Sequence, residues 1–195
     1  MAVTITDFRW ERMFRAVEKV RDRLRRVCDA LEQAGIPYAV IGGNAVAAWV
    51  SQVDEAAVRN TQDVDLLLRE EDLPRPIETL SKSGFIYQTV ARIPMFLDGP
   101  AAKPRDAVHI HFAGKKVRDQ DLLPAPDVTD CEQQQQRQVL SLASLVRMKL
   151  TLFCDKDRTH LRDILEVGLI DDSWVSQLPP ELGTRLQELL DNPEG

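Results

Sequence analysis

Residues 38–68 read YAVIGGNAVAAWVSQVDEAAVRNTQDVDLLL. A short apolar run leads directly into Gly42-Gly43 and then into an alanine-rich segment, which predicts a strand, a tight turn and a helix. Further along, Asp63 and Asp65 stand in a second apolar run that ends at Leu68. On a strand, two such carboxylates project to one face about 7 Å apart. They repel by roughly 2 kcal/mol at an effective dielectric near 20, and ordinary folding gains nothing from this.

The two features complement each other chemically. Magnesium prefers a few carboxylate oxygens together with phosphate oxygens and water, so a divalent cation would turn the repulsion into binding. Glycines between a strand and a helix let backbone N–H groups approach an anion at the positive end of the helix dipole. An exposed acidic strand face and a tight turn without a ligand are the alternatives. Together the carboxylates and the glycines predict a site for a metal–triphosphate.

The glycine pair followed by a hydrophobic-flanked Asp-x-Asp resembles the nucleotidyltransferases of the DNA-polymerase-beta-like superfamily. Residues 59–68, RNTQDVDLLL, are similar to the R-x-T-x-D-h-D-h form, in which h is apolar. That form occurs in the bacterial branch that includes the abortive-infection type E toxins. The resemblance covers residues 36–170 and implies the nucleotidyltransferase fold. It also implies an enzyme that uses Mg²⁺ or Mn²⁺ to move NMP from an NTP to an acceptor.

The resemblance implies roles for individual residues. The implied metal ligands are Asp63 and Asp65, which also belong to the catalytic group. Many superfamily members carry serine directly after the glycines, where this chain has Asn44, whose amide can donate a hydrogen bond instead. The residues expected to bind the nucleotide are Gly42, Gly43, Asn44, Arg59, Thr61, Lys149 and Arg158.

A third carboxylate on a later strand is common in the superfamily, and this chain departs from that pattern. The corresponding segment is AVHIHFA, residues 107–113. Alternation places His109 and His111 on one side of that strand, so His109 stands where the carboxylate is expected. A neutral imidazole can bind a metal or act as a base. We therefore assign His109 to the catalytic group, with an ordinary structural histidine as the alternative.

A lysine in the predicted helix at 141–153 interrupts an apolar stripe. Lys149 either extends its ammonium group to solvent or meets a charged partner. Together with Lys156, Arg158 and the pair Arg162-Asp163, it resembles the K…R/K…RD helical motif of the type E branch. The resemblance implies that the basic residues contact phosphate and that the aspartate orients them.

The hydrophobic pattern predicts an α/β (α+β) fold: a small mixed β-sheet flanked by helices, with a long N-terminal helix and a C-terminal helical segment. Strands are predicted at 38–41, 64–68, 85–90, 93–97 and 107–113, and helices at 8–33, after Gly43, and at 75–82, 141–153, 159–169 and 180–190. QQQQ at 133–136 is expected to be a polar loop. We expect residues 1–138 to form the nucleotidyltransferase core with its N-terminal helix, and residues 139–195 a helical segment packed on it.

The composition of the chain bears on its partners and its cellular location. The 195 residues carry a formal net charge of −6, opposite to the broad footprint of a nucleic-acid-binding protein. The three cysteines lie far apart, which favours a reducing, cytoplasmic location over a disulfide framework. No apolar run approaches the ~20 residues that cross a bilayer, so no membrane partner is expected.

The sequence does not decide whether the acceptor is an RNA, a protein or a small molecule. The resemblance to toxins implies a role in a toxin–antitoxin pair, with an antitoxin-like protein as partner. One alternative is a catalytically impaired nucleotide-binding module that acts through a partner. Another is a small-molecule nucleotidyltransferase of the aminoglycoside type, whose cationic substrates would suit the acidic balance of the chain.

Overall fold

The computed structural model describes residues 5–134 and 136–193, with side chains from residue 10 onward. Its helices are α1 (Ile5–Gln33), α2 (Gly42–Val50), α3 (Pro74–Lys82), α4 (Leu142–Leu152), α5 (Asp155–Glu166) and α6 (Pro180–Asp191). Its strands are β1 (Ala39–Ile41), β2 (Val64–Leu68), β3 (Ile86–Val90), β4 (Ile93–Leu97), β5 (Ala107–Phe112), β6 (Cys131–Gln134) and β7 (Arg137–Leu140). None of these described helices is long and apolar enough to span a bilayer.

The strands form one mixed sheet in the order β3-β4-β5-β2-β1-β7-β6. β2 is parallel to β5 and β1 is parallel to β7, while the other neighbours are antiparallel. Asp65 on β2 is paired in register with His109 on β5 and with Ile41 on β1. Because Ile41 directly precedes the glycine turn, the register brings Gly42, Asp65 and His109 to one end of three adjacent strands.

Helices cover the sheet at its central strands. α2 packs against β2 and α5, while α1 packs against α3 and also contacts β2. Leu66 and Leu67 project to opposite faces of β2, yet both are fully buried. The carboxylate-bearing face of the strand is therefore not a solvated acidic surface, because the same face holds a core leucine.

The C-terminal helices share the core of the sheet. Leu145 of α4, Leu161 of α5 and Leu186 of α6 belong to the same cluster of buried side chains as β1 and β2. β7 also completes the sheet beside β1. The division of the chain at residue 138 stays a prediction.

The mixed sheet flanked by helices, with its long N-terminal helix and C-terminal helical segment, confirms the predicted fold class. The polar-loop prediction for 133–136 is wrong in part, because Gln133 and Gln134 lie in β6 and pair with β7. Cross-strand pairing thus overrides the low strand propensity of this polar tract. The helix predicted to start at 159 begins at Asp155, where Asp157 accepts a hydrogen bond from the backbone N–H of Cys154.

Candidate active site

Gly42 and Gly43 form the turn between β1 and α2, and each has its own requirement for glycine. Gly42 has a φ of +66°, a conformation that other residues rarely adopt. A Cβ there would also collide with the carboxylate of Asp65. At Gly43, a Cβ would lie 2.9 Å from Thr61 Oγ1. The N–H groups that follow begin α2, and its N-cap residue, Ile41, provides no side-chain cap for them.

Asp63, directly before β2, is held by several neighbours. Asn44 Nδ2 donates a 2.7 Å hydrogen bond to its backbone oxygen. Its backbone N–H donates to Thr61 Oγ1 at 3.4 Å. Lys156 Nζ on α5 lies 2.7 Å from its carboxylate Oδ2. Burial alone would lower the pKa of Lys156, but the hydrogen bond to Asp63 raises it above its ordinary value. Asn44 and Thr61 therefore position Asp63, and Lys156 neutralises it.

Asp65 is paired with a different cation. His109 Nδ1 lies 3.6 Å from Asp65 Oδ1, and the other ring nitrogen, Nε2, lies 3.2 Å from the carbonyl oxygen of Pro104. Burial alone would raise the pKa of Asp65, but the interaction with His109 holds it below its ordinary value. The carboxylate of Asp65 in turn raises the pKa of His109. Because both ring nitrogens face oxygen atoms, His109 is placed to act as an imidazolium partner of Asp65.

A cleft with a volume of about 390 Å³ lies between α2, the segment before β2 and α5. One part of its wall is apolar and consists of Val46, Ala47, Val50 and Ala57. The remaining wall is polar and consists of Gly43, Arg59, Asn60, Thr61, Gln62, Asp63, Lys156, Thr159, His160 and Asp163. The volume and the mixed lining are typical of a site for an organic ligand that has one apolar and one charged end.

Four of the lining residues belong to α5: Lys156, Thr159, His160 and Asp163. The K…R/K…RD resemblance implied roles for Lys156 and Asp163, whereas the sequence did not lead us to assign Thr159 or His160 to the site. Lys156, His160 and Asp163 are spaced by four and then three positions, so they share one face of the helix. Asp163 is buried and accepts a 2.7 Å hydrogen bond from Arg59 Nε. This contact ties the Arg59 end of the R-x-T-x-D-h-D-h segment to α5. The helical spacing between Lys156 and Asp163 was the signal that could have identified His160.

The structure does not bring Lys149 and Arg158 to this cleft. Lys149 is buried, and its Nζ lies 2.8 Å from Asp157 Oδ1, which is also buried. Arg158 extends toward α6, where its Nη1 lies 3.3 Å from Glu188 Oε1 and its guanidinium stacks on Phe153. Neither is among the described residues that line the cleft. Their contacts give both residues a structural explanation, while the nucleotide contact predicted for them is untested.

His160 is buried in the cleft wall, and its Nδ1 has no hydrogen-bond partner in the described part of the chain. Burial, reinforced by the charges of Lys149 and Lys156, lowers the pKa of His160 to about 4. The unfolded chain, with an ordinary pKa near 6.5, binds a proton at higher pH than the native state does. Stability from this residue is therefore lost as the pH falls from about 6.5 to about 4.

We expect His160→Leu to remove that pH dependence. The free energy of unfolding of the wild type should fall relative to the variant by about 2 kcal/mol between pH 7 and pH 4.5. Urea denaturation followed by tryptophan fluorescence at both pH values measures the difference. Parallel pH profiles for the two proteins would show that His160 is not kept neutral by its surroundings.

The sequence of this chain matches a known family. Residues 9–118 fit the model of a family described as uncharacterised nucleotidyltransferase. The chain belongs to this nucleotidyltransferase family. The matched region contains the glycine turn, both aspartates and His109, whereas α5 lies outside it. The match does not confirm the narrower resemblance to the abortive-infection type E branch. No curated protein matches the chain.

Several solved structures share the fold at low sequence identity. The antibiotic-resistance factor ANT(2'')-Ia, in solution, is 12% identical, with a TM-score of 0.54 over 87% of this chain and 90% of that one. A nucleotidyltransferase-like protein from Paracoccidioides brasiliensis is 17% identical, with a TM-score of 0.51 over 89% and 90%. JHP933 from Helicobacter pylori is 14% identical, with a TM-score of 0.51 over 91% and 75%. At this level of identity, these likenesses show that the chain shares the fold of these proteins.

Proposed function

We propose that this nucleotidyltransferase uses a divalent metal, magnesium or manganese, to transfer NMP from an NTP to a hydroxyl group of an acceptor. The observation that carries the proposal is the cleft, in which the glycine turn, Asp63 and Lys156 meet an apolar wall from α2. The apolar wall suits a nucleobase, and the start of α2 with Lys156 suits a triphosphate. Asp65 completes the carboxylate pair next to the turn, on the side of Gly42.

The carboxylates fit magnesium only together with a nucleotide. The described residues contain no group of three or more His, Cys, Asp and Glu side chains that could hold a metal ion alone. Magnesium in proteins is often held by one or two carboxylates plus substrate phosphates and water. Asp63 and Asp65 would hold it in this way. When bound, it would polarise the α-phosphate and offset the charge of the leaving group.

The residues of the chain would then share the remaining tasks. The acceptor oxygen forms a bond to the α-phosphorus, and the bond from that phosphorus to the bridging oxygen of the β-phosphate breaks, which releases pyrophosphate. Lys156 would bind the phosphate oxygens after leaving Asp63. His109, in its neutral form, would take the hydroxyl proton on Nδ1, because the imidazolium that results is paired with Asp65.

The catalytically impaired alternative is favoured by one observation. His109 occupies the position in register with Asp65 and faces the Pro104 carbonyl as well, which is the arrangement of a charge partner. Such a protein would bind Mg²⁺–NTP and transfer nothing. Label transfer from α-labelled NTP to acceptors in a cell extract separates the two functions, since only the enzyme labels an acceptor.

We expect Lys156→Met to weaken Mg²⁺–NTP binding by about 10- to 100-fold, because a charge-assisted hydrogen bond to phosphate contributes about 1.5–3 kcal/mol. The variant leaves Asp63 without its cation, so Mn²⁺ alone should bind more tightly than to the wild type. Calorimetry with Mg²⁺–NTP and with Mn²⁺ measures both changes, which run in opposite directions.

Lys115→Met is the matched control. Lys115 is an exposed lysine paired with Glu70 at 3.1 Å, and it lies outside the cleft. Its substitution should leave both affinities unchanged. Unaltered Mg²⁺–NTP binding in Lys156→Met would remove Lys156 from the nucleotide site, and absent binding in the wild type with all four NTPs would refute the proposed function.

A further inference from the structure

A second and larger groove, with a volume of about 1400 Å³, lies between α1 and the segment that connects β4 to β5. It shares Asn60, Thr61 and Gln62 with the nucleotide cleft, so the two cavities adjoin across this segment. Asp63 follows directly in the chain. A ligand in the groove would therefore lie beside the segment that leads into Asp63. An acceptor of NMP has to bind in such a place, next to the metal–nucleotide site.

Arg23 of α1 lines the groove and is buried, with only 5% of its surface exposed. Its Nε and Nη1 have no hydrogen-bond partner within the described residues. The nearest carboxylate oxygen, Asp98 Oδ2, lies 3.5 Å from Nε, and the other oxygen of Asp98 accepts from Arg26. Since buried polar groups in folded proteins are nearly always hydrogen-bonded, the guanidinium has unused donors at this wall.

Acidic side chains that line the groove are paired with arginines. Glu18 pairs with Arg21, and Asp22 pairs with Arg25 and Arg26. Lys19 adds positive charge to the lining, while Arg105 lies 3.8 Å from Asp106, so this pair is neutral. This basic wall is local, because the whole chain has a formal net charge of −6. Cationic acceptors would lose hydration here and meet a buried guanidinium, whereas an anion would supply its missing acceptors.

We propose that the groove binds the acceptor, and that the acceptor carries an anionic group, a phosphate or a carboxylate, close to the hydroxyl that receives NMP. Arg23 binds that anion and holds the hydroxyl near the α-phosphate. The inference rests on the proposed function and adds the chemical class of the acceptor. It contrasts with the acidic composition of the chain, which by itself would suit cationic substrates.

Small probes that share a hydroxyl group test this inference on the full chain. Glycerol 3-phosphate and glycerate carry the two anions, glycerol is neutral and a deoxystreptamine aminosugar is cationic. NMR titration of the wild type should show binding of at least one anionic probe at least 10-fold tighter than glycerol or the aminosugar. The better of the two anions distinguishes phosphate from carboxylate recognition. Equal or tighter binding of the neutral or the cationic probe overturns the inference without any variant.

The role of Arg23 is tested by substitution. Arg23→Met should weaken binding of the preferred anion by at least 10-fold, Arg23→Lys should weaken it less, and Arg147→Met, an exposed arginine on α4, should not change it. Mg²⁺–NTP binding should persist in all three. Anion binding that survives in Arg23→Met overturns the inference while NTP binding keeps the proposed function intact. If Arg23→Met does not fold, Arg23→Lys decides, because unchanged anion affinity and unchanged probe preference there would contradict the assignment.

Discussion

Replacing Lys149 with methionine is expected to lower the free energy of unfolding by about 3–5 kcal/mol, because it leaves the buried carboxylate of Asp157 without its cation. The phosphate contact that the sequence resemblance implies for Lys149 would instead leave stability nearly unchanged and weaken nucleotide binding. The structure alters the expectation, since the side chains of Lys149 and Asp157 are 8% and 6% exposed and their charged atoms lie 2.8 Å apart. Urea denaturation at pH 7 provides the measurement.

Two further variants make the test specific. Lys82→Met breaks an ion pair with Glu78 of the same 2.8 Å length on an exposed helix surface, and it should change stability by less than about 0.5 kcal/mol. Lys149→Met combined with Asp157→Asn removes both charges and keeps an acceptor for the Cys154 N–H. This double variant should be more stable than Lys149→Met alone. A single variant that loses less than about 1 kcal/mol would mean that Lys149 does not depend on Asp157.

Asp65→Asn is expected to reduce NMP transfer by at least about 100-fold, since even residues that only orient metal ligands change affinity or activity by about 10- to 100-fold. The thermal stabilisation of the protein by Mg²⁺–NTP should also be mostly lost, because a ligand that binds only the folded state stabilises it less as its affinity falls. Label transfer from α-labelled NTP and thermal denaturation with and without Mg²⁺–NTP give the two measurements.

The same substitution has a predictable cost in the ligand-free protein. The repulsion between the two carboxylates inferred from the sequence would make the substitution stabilising by about 1 kcal/mol, but Lys156 and His109 already neutralise the two carboxylates. Because Asp65 raises the pKa of His109, their interaction stabilises the fold at pH values below about 6.5 and weakens as the pH rises through the raised pKa. Asp65→Asn should therefore destabilise the protein more at pH 6 than at pH 9.

An exposed aspartate supplies the control for the activity measurement. Asp119 lies outside the cleft, so Asp119→Asn should retain transfer and the full thermal shift. If Asp65→Asn also retains the full Mg²⁺–NTP shift, then Asp65 is not a ligand of the metal–nucleotide complex. The proposed mechanism would then fail at its central carboxylate.

Local sequence signals were sufficient for much of the fold. The glycine pair after an apolar run placed the turn between β1 and α2, and the alternation in residues 107–113 placed His109 on the same strand face as His111. These patterns depend on neighbours in the chain, which a sequence displays directly. The family match and the fold agree with the resemblance carried by Gly42-Gly43 and Asp63-x-Asp65.

Pairing over long distances along the chain was not predictable in the same way. Lys149 lies in the last turn of α4 and Lys156 in the first turn of α5, and only the packing of α5 against α2 decides that Lys156 reaches Asp63. The hairpin at 131–140 was missed because its glutamines favour a loop by composition, whereas β7 gains its place from a partner that lies about 100 residues earlier in the chain. Tertiary contacts of this kind have no local signature.

The parallel pairing of β1 with β7 has a consequence for the order of events during synthesis. Val40 can pair with β7 only after Val139 has been synthesised, and Asp63 can contact Lys156 only after that lysine has been synthesised. At translation rates of about 5–20 residues per second, the nascent chain exposes an unpaired strand edge for several seconds. The contact between Lys156 and Asp63, and with it the candidate site, can therefore form only after most of the chain has been synthesised.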